Sequence, residues 1–348
     1  MRSSLRDVTQ ESLEAQVCRL VEDGFAGVVR VDVRGNTILR AGFGLADRAR
    51  RLSMTPESRL GMASGSKTLT ALAVLSLVDE GVLSLSTTAR SLLGDDLPLV
   101  AVDVTVEHLL SHRSGIGDYL DEDSDLDVSD YLMPVSVHQL AETELFLPLL
   151  DGHPAKFRAG TDFAYCNGGF VLLALLAERA SGTPFHQLVR QRVCEPAGLH
   201  ATEFLRSDAL PGDAALGYVE VDGQWRTNVF HLPVRGSGDG GAFTTVDDMH
   251  QFWSALLGGS IISDHTVQDM LRPRSDPAED GSTYGLGVWL DPSDGSLQLV
   301  GEDAGVSFTT VHLPDQQATW TVLANTARAA WPVHRLVAEH VERLASRA

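Results

Sequence analysis

Apolar and polar positions alternate with a period of two over 25–34 (FAGVVRVDVR) and 37–44 (TILRAGFG), which predicts two strands joined at the Gly35-Asn36 turn. The pattern then changes. Residues 65–81 are apolar nearly all round, through Leu69, Ala71, Leu72, Val74, Leu75, Leu77 and Val78. A helix with so thin a polar face is expected to be buried, and Gly81 to end it. A second helix of the same kind is predicted over 168–181, and helical patterns also cover 136–149, 245–258 and about 328–345. The helix at 245–258 has Asp247 and Asp248 in its first turn, where the helix dipole favours anions. Period-two segments return at 283–290, 296–300, 305–312 and 318–324. The first twenty residues read as an amphipathic helix with Leu13, Val17, Leu20 and Val21 on one stripe.

Strands at both ends with helices between them predict an α/β (α+β) fold. Its antiparallel sheet is built from both termini, flanked by helices, and carries a mostly helical insertion. The expected division is a sheet domain of residues 1–85 and 232–348 and a helical domain of 86–231, with the active site in the cleft between them. The chain has 348 residues, 43% of them hydrophobic and 21% charged, enough for a sizeable soluble core. No internal repeat and no low-complexity tract interrupts it. The formal net charge of -20 argues against nucleic acid and anionic membrane as partners, since both would be repelled. No apolar run of about 18 residues suggests a membrane span, and the first residues lack a signal-peptide core. A cytoplasmic location is the simplest expectation, although a chain trimmed of its leader would look the same. Cys18, Cys166 and Cys194 supply no disulfide framework.

Composition also singles out one cation. Of 27 basic residues only Lys67 and Lys156 are lysines. A retained lysine suggests a place for an amine that loses its proton, which a guanidinium does not do. Lys67 closes Ser64-Gly65-Ser66-Lys67 at the entry of the buried helix, and residues three apart on a helix share a face. The helix N-terminus stabilises an oxyanion, while burial disfavours the charged lysine and makes it a base. S-x-x-K is a known pattern of β-lactamases and penicillin-binding proteins, but alone it reads equally as a capped helix start. Tyr165-Cys166-Asn167 precedes the apolar helix at 168. In an extended segment Tyr165 and Asn167 face one cleft, the tyrosine as base and then acid beside a cation, and Asn167 holding Lys67 and a substrate carbonyl. Gly301-Glu302-Asp303-Ala304-Gly305-Val306 reads as the start of a strand, or, taken alone, as an ordinary β-turn. There the N–H of Val306 could join that of Ser64 in an oxyanion hole, and a glycine lets substrate approach.

These three segments, in this order, resemble the serine β-lactamase-like superfamily, which includes class C β-lactamases, D-alanyl-D-alanine carboxypeptidases, D-aminopeptidases and family VIII carboxylesterases. His108-Leu109-Leu110-Ser111-His112-Arg113-Ser114-Gly115 is similar to the superfamily's His-Leu-Leu-Thr-His-Thr-Ser-Gly segment. Gly240-Gly241-Ala242-Phe243-Thr244-Thr245 with Asp248 is similar to its Gly-Gly-Leu-x-Ser-Thr-x-x-Asp segment. The resemblance runs over about 25–345 and implies a serine hydrolase working through an acyl-enzyme on Ser64, with Lys67 and Tyr165 moving its proton and no cofactor. One departure stands out. The third motif of the superfamily is usually Lys-Thr-Gly or His-x-Gly, whose cation helps hold a substrate carboxylate. Here Asp303-Ala304-Gly305 stands instead, and Asp303 would repel a carboxylate.

The expected activity is therefore an esterase or amidase on small ester, amide or peptide substrates. A β-lactamase or D-amino-acid peptidase, a transacylase or amide-bond former, and an idle ligand-binding member are the alternatives. Asn167, Asp303, Gly305 and Tyr119 are expected to contact substrate. No metal is expected: His108 and His112 lack a third ligand of suitable spacing. Asp121, Asp123, Asp125 and Asp127 lack the glycine and glutamate of a calcium loop and read as a solvated acidic rim. The 236–241 glycines lack the Lys-Ser/Thr of a phosphate loop. Cys166 reads as a buried thiol pointing away from the cleft.

Overall fold

The computed structural model describes residues 11–122, 131–278 and 280–346. Seven strands form its main sheet: β1 (Gly27–Val33), β2 (Asn36–Phe43), β3 (Thr283–Tyr284), β4 (Trp289–Asp291), β5 (Ser296–Asp303), β6 (Val306–Leu313) and β7 (Ala318–Ala324). Their spatial order is β2-β1-β7-β6-β5-β4-β3, and every neighbouring pair is antiparallel. Within it β1 pairs with β7, Gly27 opposite Ala324 and Val33 opposite Ala318. The mixed α/β class and the antiparallel sheet drawn from both ends of the chain are thus as the residue pattern implied.

Five helices frame the sheet: α1 (Leu13–Glu22), α2 (Ser66–Asp79), α3 (Asn167–Ser181), α4 (Val246–Leu257) and α5 (Ala330–Ala345). Because side chains alternate along each strand, the sheet has two apolar faces. Val29, Val31, Val311, Trp320 and Val322 pack with α1 and α5 on one side. Val28, Leu299, Phe308 and Leu323 join the core of α2, α3 and α4 on the other. Ser12 caps α1 by accepting the N–H of Ala15 at 3.2 Å. Gly81, at φ +73°, follows the end of α2. Residues Ser66 to Leu77 of α2 are all buried, which accounts for its lack of a polar face. Its few hydroxyls are used as ties: Thr68 donates to Gly287 O (2.6 Å) and Thr70 to Gly238 O (2.7 Å).

Three expectations change. The 136–149 segment is not one helix but two short 3-10 turns, Val137–Gln139 and Thr143–Phe146, followed by the turn of helix Leu147–Leu150 that contains Pro148. A proline suits a helix start and interrupts a helix interior. The 283–290 segment is not one strand but the β3–β4 hairpin, Tyr284 opposite Trp289. Gly287 turns it at φ +83°, and a Cβ there would lie 2.3 Å from that of Ala71 on α2. Finally, Gly301–Val306 is not a strand start. It spans the end of β5, the Ala304-Gly305 turn and the first residue of β6, with Asp303 paired to Val306. Asp123, Asp125 and Asp127, and residues 1–10 of the expected first helix, lie outside the described residues. Asp121 pairs with Lys156 at 2.7 Å.

Candidate active site

Ser64 sits in the 3-10 turn Ala63–Gly65 just before α2, and that turn is clamped from two sides. Met62 N donates to Ala242 O (2.9 Å) and Gly65 N to Met62 O (2.8 Å). Below it runs Gly301 of β5. A Cβ on Gly301 would lie 2.4 Å from Met62 O and 2.8 Å from Ser64 N, so only glycine allows the turn to press on the strand. Ala63 is held at φ +43°, a left-handed conformation that costs a non-glycine residue about 1–2 kcal/mol. Strain of this kind persists where the surroundings over-determine it.

Lys67 lies one turn further on and is 1% exposed. Its Nζ is 2.9 Å from Ser64 Oγ, 2.7 Å from Asn167 Oδ1 and 2.8 Å from the main-chain oxygen of Asp239. Asn167 Nδ2 is engaged elsewhere, donating to Leu120 O (3.0 Å) and Glu122 Oε1 (3.1 Å), which fixes the amide with its oxygen toward the amine. Two of the amine's three neighbours can therefore only accept. A neutral amine has two N–H groups and one lone pair. It gives the N–H groups to Asn167 and Asp239 and leaves the lone pair for the Ser64 hydroxyl. Burial pushes the Lys67 amine below its ordinary range, opposed by the charges of Asp239, Glu122, Asp118 and Asp303.

Further carboxylates hold this arrangement in place. Asp118 accepts the N–H of Asn167 (2.5 Å) and of Gly168 (2.8 Å), closing off the first turn of α3. Asp239 accepts the phenol of Tyr119. Its loop has no slack, for a Cβ on Gly238 would lie 2.0 Å from Phe170 O. The result is a closed ring of contacts from Lys67 through Asn167, the 118–122 segment, Tyr119 and Asp239 back to Lys67.

Tyr165 packs between His112, with ring centroids 4.2 Å apart, and Trp289, stacked at 6.2 Å. Its ring face lies 4.8 Å from Lys67 Nζ. The cation does not favour a phenolate here as expected. Burial, with the charge of Glu122, holds the phenol well above its ordinary value, so it is a proton carrier and not a resident base. His112 is also neutral, pushed well down by burial, and its Nδ1 accepts the N–H of Cys166 at 3.0 Å. Cys166 is buried, and its sulfur caps α3 by accepting from Gly169 N.

The pocket at Ser64 has a volume of about 320 Å³. Tyr119, Asn167, Asp303, Gly305 and Val306 line it, so the sequence-derived candidates for substrate contact and the second oxyanion donor all gather at one cavity. Gly305 is at φ +73°, where a Cβ would lie 2.8 Å from Tyr218 N. Glu122, Asp239 and Glu302 are further lining residues, whereas no Lys, Arg or His lines the pocket among the described residues. Sequence reasoning missed Asp118, Glu122 and Asp239 as members of the site. Asp239 lies in the glycine-rich 236–241 loop, and its position in a Gly-Asp-Gly-Gly run was the available signal.

The sequence matches the family described as Beta-lactamase over residues 8–342. It is 28% identical over 332 residues to a D-aminopeptidase of Brucella ovis, covering 90% of this chain and 59% of that protein. The chain thus spans only about three fifths of that relative's length. Among solved structures, a penicillin-binding protein from Bacillus halodurans superposes with a TM-score of 0.86 at 35% identity, covering 94% of this chain and 99% of the other. The D-amino acid amidase of Ochrobactrum anthropi SV3 shares the fold, with a TM-score of 0.79 at 21% identity over 97% of this chain and 99% of that one.

Proposed function

We propose that this chain, which belongs to the Beta-lactamase family, is a serine hydrolase that passes through an acyl-enzyme on Ser64, acting as an esterase or amidase on small substrates. The observation that carries the reading is the 2.9 Å contact between Ser64 Oγ and a buried amine whose other two neighbours only accept hydrogen bonds. Lys67 takes the hydroxyl proton as Ser64 attacks the carbonyl. The N–H groups of Ser64 and Val306 receive the oxyanion, and Tyr165 carries the proton on to the leaving group. Asn167 keeps the amine aligned. Water then releases the acyl group by the same relay in reverse. The chemistry asks for neither metal nor organic cofactor. The cleft between the sheet portion, 1–85 with 232–348, and the helical 86–231 portion holds the substrate.

The acidic lining sets β-lactams and peptides with a free terminal carboxylate apart as poor substrates, because Asp303 stands where a cation would be needed. Turnover of p-nitrophenyl acetate and butyrate by the wild type and by Ser64→Ala tests the proposal. Mass spectrometry of Ser64 after fluorophosphonate treatment accompanies it. We expect labelling of Ser64, and a rate at least about 10³-fold lower in the variant. Equal rates, or no adduct on Ser64, remove the serine from the chemistry.

A further inference from the structure

We infer that Asp303 selects substrates carrying a cationic nitrogen close to the scissile ester, thioester or amide, with an apolar remainder. The inference rests on the hydrolase reading of Ser64 and adds a substrate class to it.

Strand alternation gives Asp303 its direction. Gly301 and Asp303 share one face of β5, and the bare face of Gly301 lies against the Ser64 turn, 2.8 Å from its N to an added Cβ. Asp303 therefore projects on the Ser64 side, one strand repeat or roughly 7 Å further along. Glu302 points the other way, to Trp331 Nε1 (2.5 Å) and Arg328 Nε (3.2 Å).

The three acids that remain in the pocket are unequal. The Asp239 carboxylate is engaged by Tyr119 and that of Glu122 by Asn167 Nδ2. Asp303 Oδ1 accepts only the N–H of Ala304 (2.9 Å), and its second oxygen has no partner among the described residues. Lys67 directs its amine to Ser64, Asn167 and Asp239. The groups that bear on Asp303 are Asp239 and Glu122, which repel its charge, and Lys67, which favours it. Although the residue keeps some exposure, its carboxyl is enclosed enough for burial to push it up to about 7. An enclosed carboxyl with a free oxygen and too little positive charge around it is what a substrate cation completes. Much of the rest of the cavity wall is apolar, with Leu205, Leu210, Leu216, Val229, Leu232 and Phe243, beside polar Ser207, Thr227 and Asn228.

Two charge series test this with the whole chain. Thiol release is followed from S-butyrylthiocholine, S-butyryl-2-mercaptoethanol and S-butyryl-3-mercaptopropionate, which place the charge on the leaving group. Nitroaniline release is followed from D- and L-alanine 4-nitroanilide and their N-acetyl derivatives, which place it on the acyl side. In at least one series kcat/KM for the cationic member should exceed the neutral one by about tenfold or more, and in the thioester series the anionic member should be slowest. In the thioester series, whose cation is permanent, that ratio should rise between pH 6 and 8 as Asp303 ionises. It should fall toward unity in Asp303→Asn, mainly through KM, and favour the anion in Asp303→Lys. Equal rates across charge, or a cation preference that survives in Asp303→Asn, overturn the inference while leaving the hydrolase intact. Failure of the hydrolase reading looks different: p-nitrophenyl butyrate is not turned over and Ser64 takes no fluorophosphonate, which removes both. If Ser64 labels but the panel is inert, slower labelling in the presence of butyrylcholine than of butyl butyrate supports the inference, and equal labelling overturns it.

Discussion

The amine of Lys67 donates to the main-chain oxygen of Asp239 at 2.8 Å, while the side chain of that same aspartate accepts from Tyr119. One residue of a glycine-rich loop thus orients the base through its backbone and surrounds it with charge through its carboxylate.

This relationship gives a pH prediction. The charge of Asp239 favours the protonated form of Lys67. Asp239→Asn removes that charge, so the neutral amine persists to lower pH. The acid limb of the kcat/KM profile should move to lower pH, measured with a neutral p-nitrophenyl ester. A limb that stays in place, or moves to higher pH, would separate Asp239 from the proton balance of the site.

Lys67→Arg preserves charge but supplies a larger group that does not lose its proton. We expect esterase activity to drop by about 10³-fold, in the range usual for loss of a general base. Circular dichroism and the thermal midpoint show whether the fold is kept. Activity within a factor of ten of the wild type would exclude Lys67 as the base.

Gly301→Ala tests how closely the sheet supports the nucleophile. The new Cβ meets backbone at 2.4 and 2.8 Å, and backbone cannot rotate away as a side chain can. We expect about 1–3 kcal/mol of lost stability in urea unfolding, as for other overpacked sites. A fall of about 10²-fold in kcat should accompany it, because the Ser64 turn must shift.

Part of the acid sensitivity should come from the sheet, away from the pocket. His250 Nδ1 lies 2.9 Å from Asp32 Oδ2, and Arg30 binds the same carboxylate at 2.7 Å. Hydrogen bonds from His250 and Arg30 outweigh burial and hold Asp32 far below the usual carboxylate range. Burial lowers His250. Both groups bind protons more readily when unfolded, so their contribution is full near pH 7 and is lost on acidification, first as unfolded histidine protonates and then as unfolded aspartate does. The urea midpoint should decline from pH 7 to 4 as the unfolded histidine protonates, and less steeply in His250→Gln, which removes that titration.

The residues whose pattern is local were readable from the chain. The thin polar face of α2 announced its burial, and Ser64 and Lys67 sit three residues apart, a spacing that a helix alone brings together. What sequence did not reveal depends on approach between distant segments. The β3–β4 hairpin looked like one strand because the tight pass of Gly287 over Ala71 is a tertiary event. Asp118 did not stand out because its task, accepting two N–H groups at the start of α3, exists only once residues fifty apart are neighbours. The direction of the Tyr165 shift was missed for a related reason: adjacency to a cation was visible, whereas the depth of its enclosure was not.

The pairing of β1 with β7 has a consequence for how the molecule is made. Gly27 cannot find Ala324 until about 300 further residues have left the ribosome, and contacts of such long range slow folding. Until then the β1–β2 hairpin offers an unfilled edge to any passing strand. This early hairpin is therefore a place for a chaperone to act.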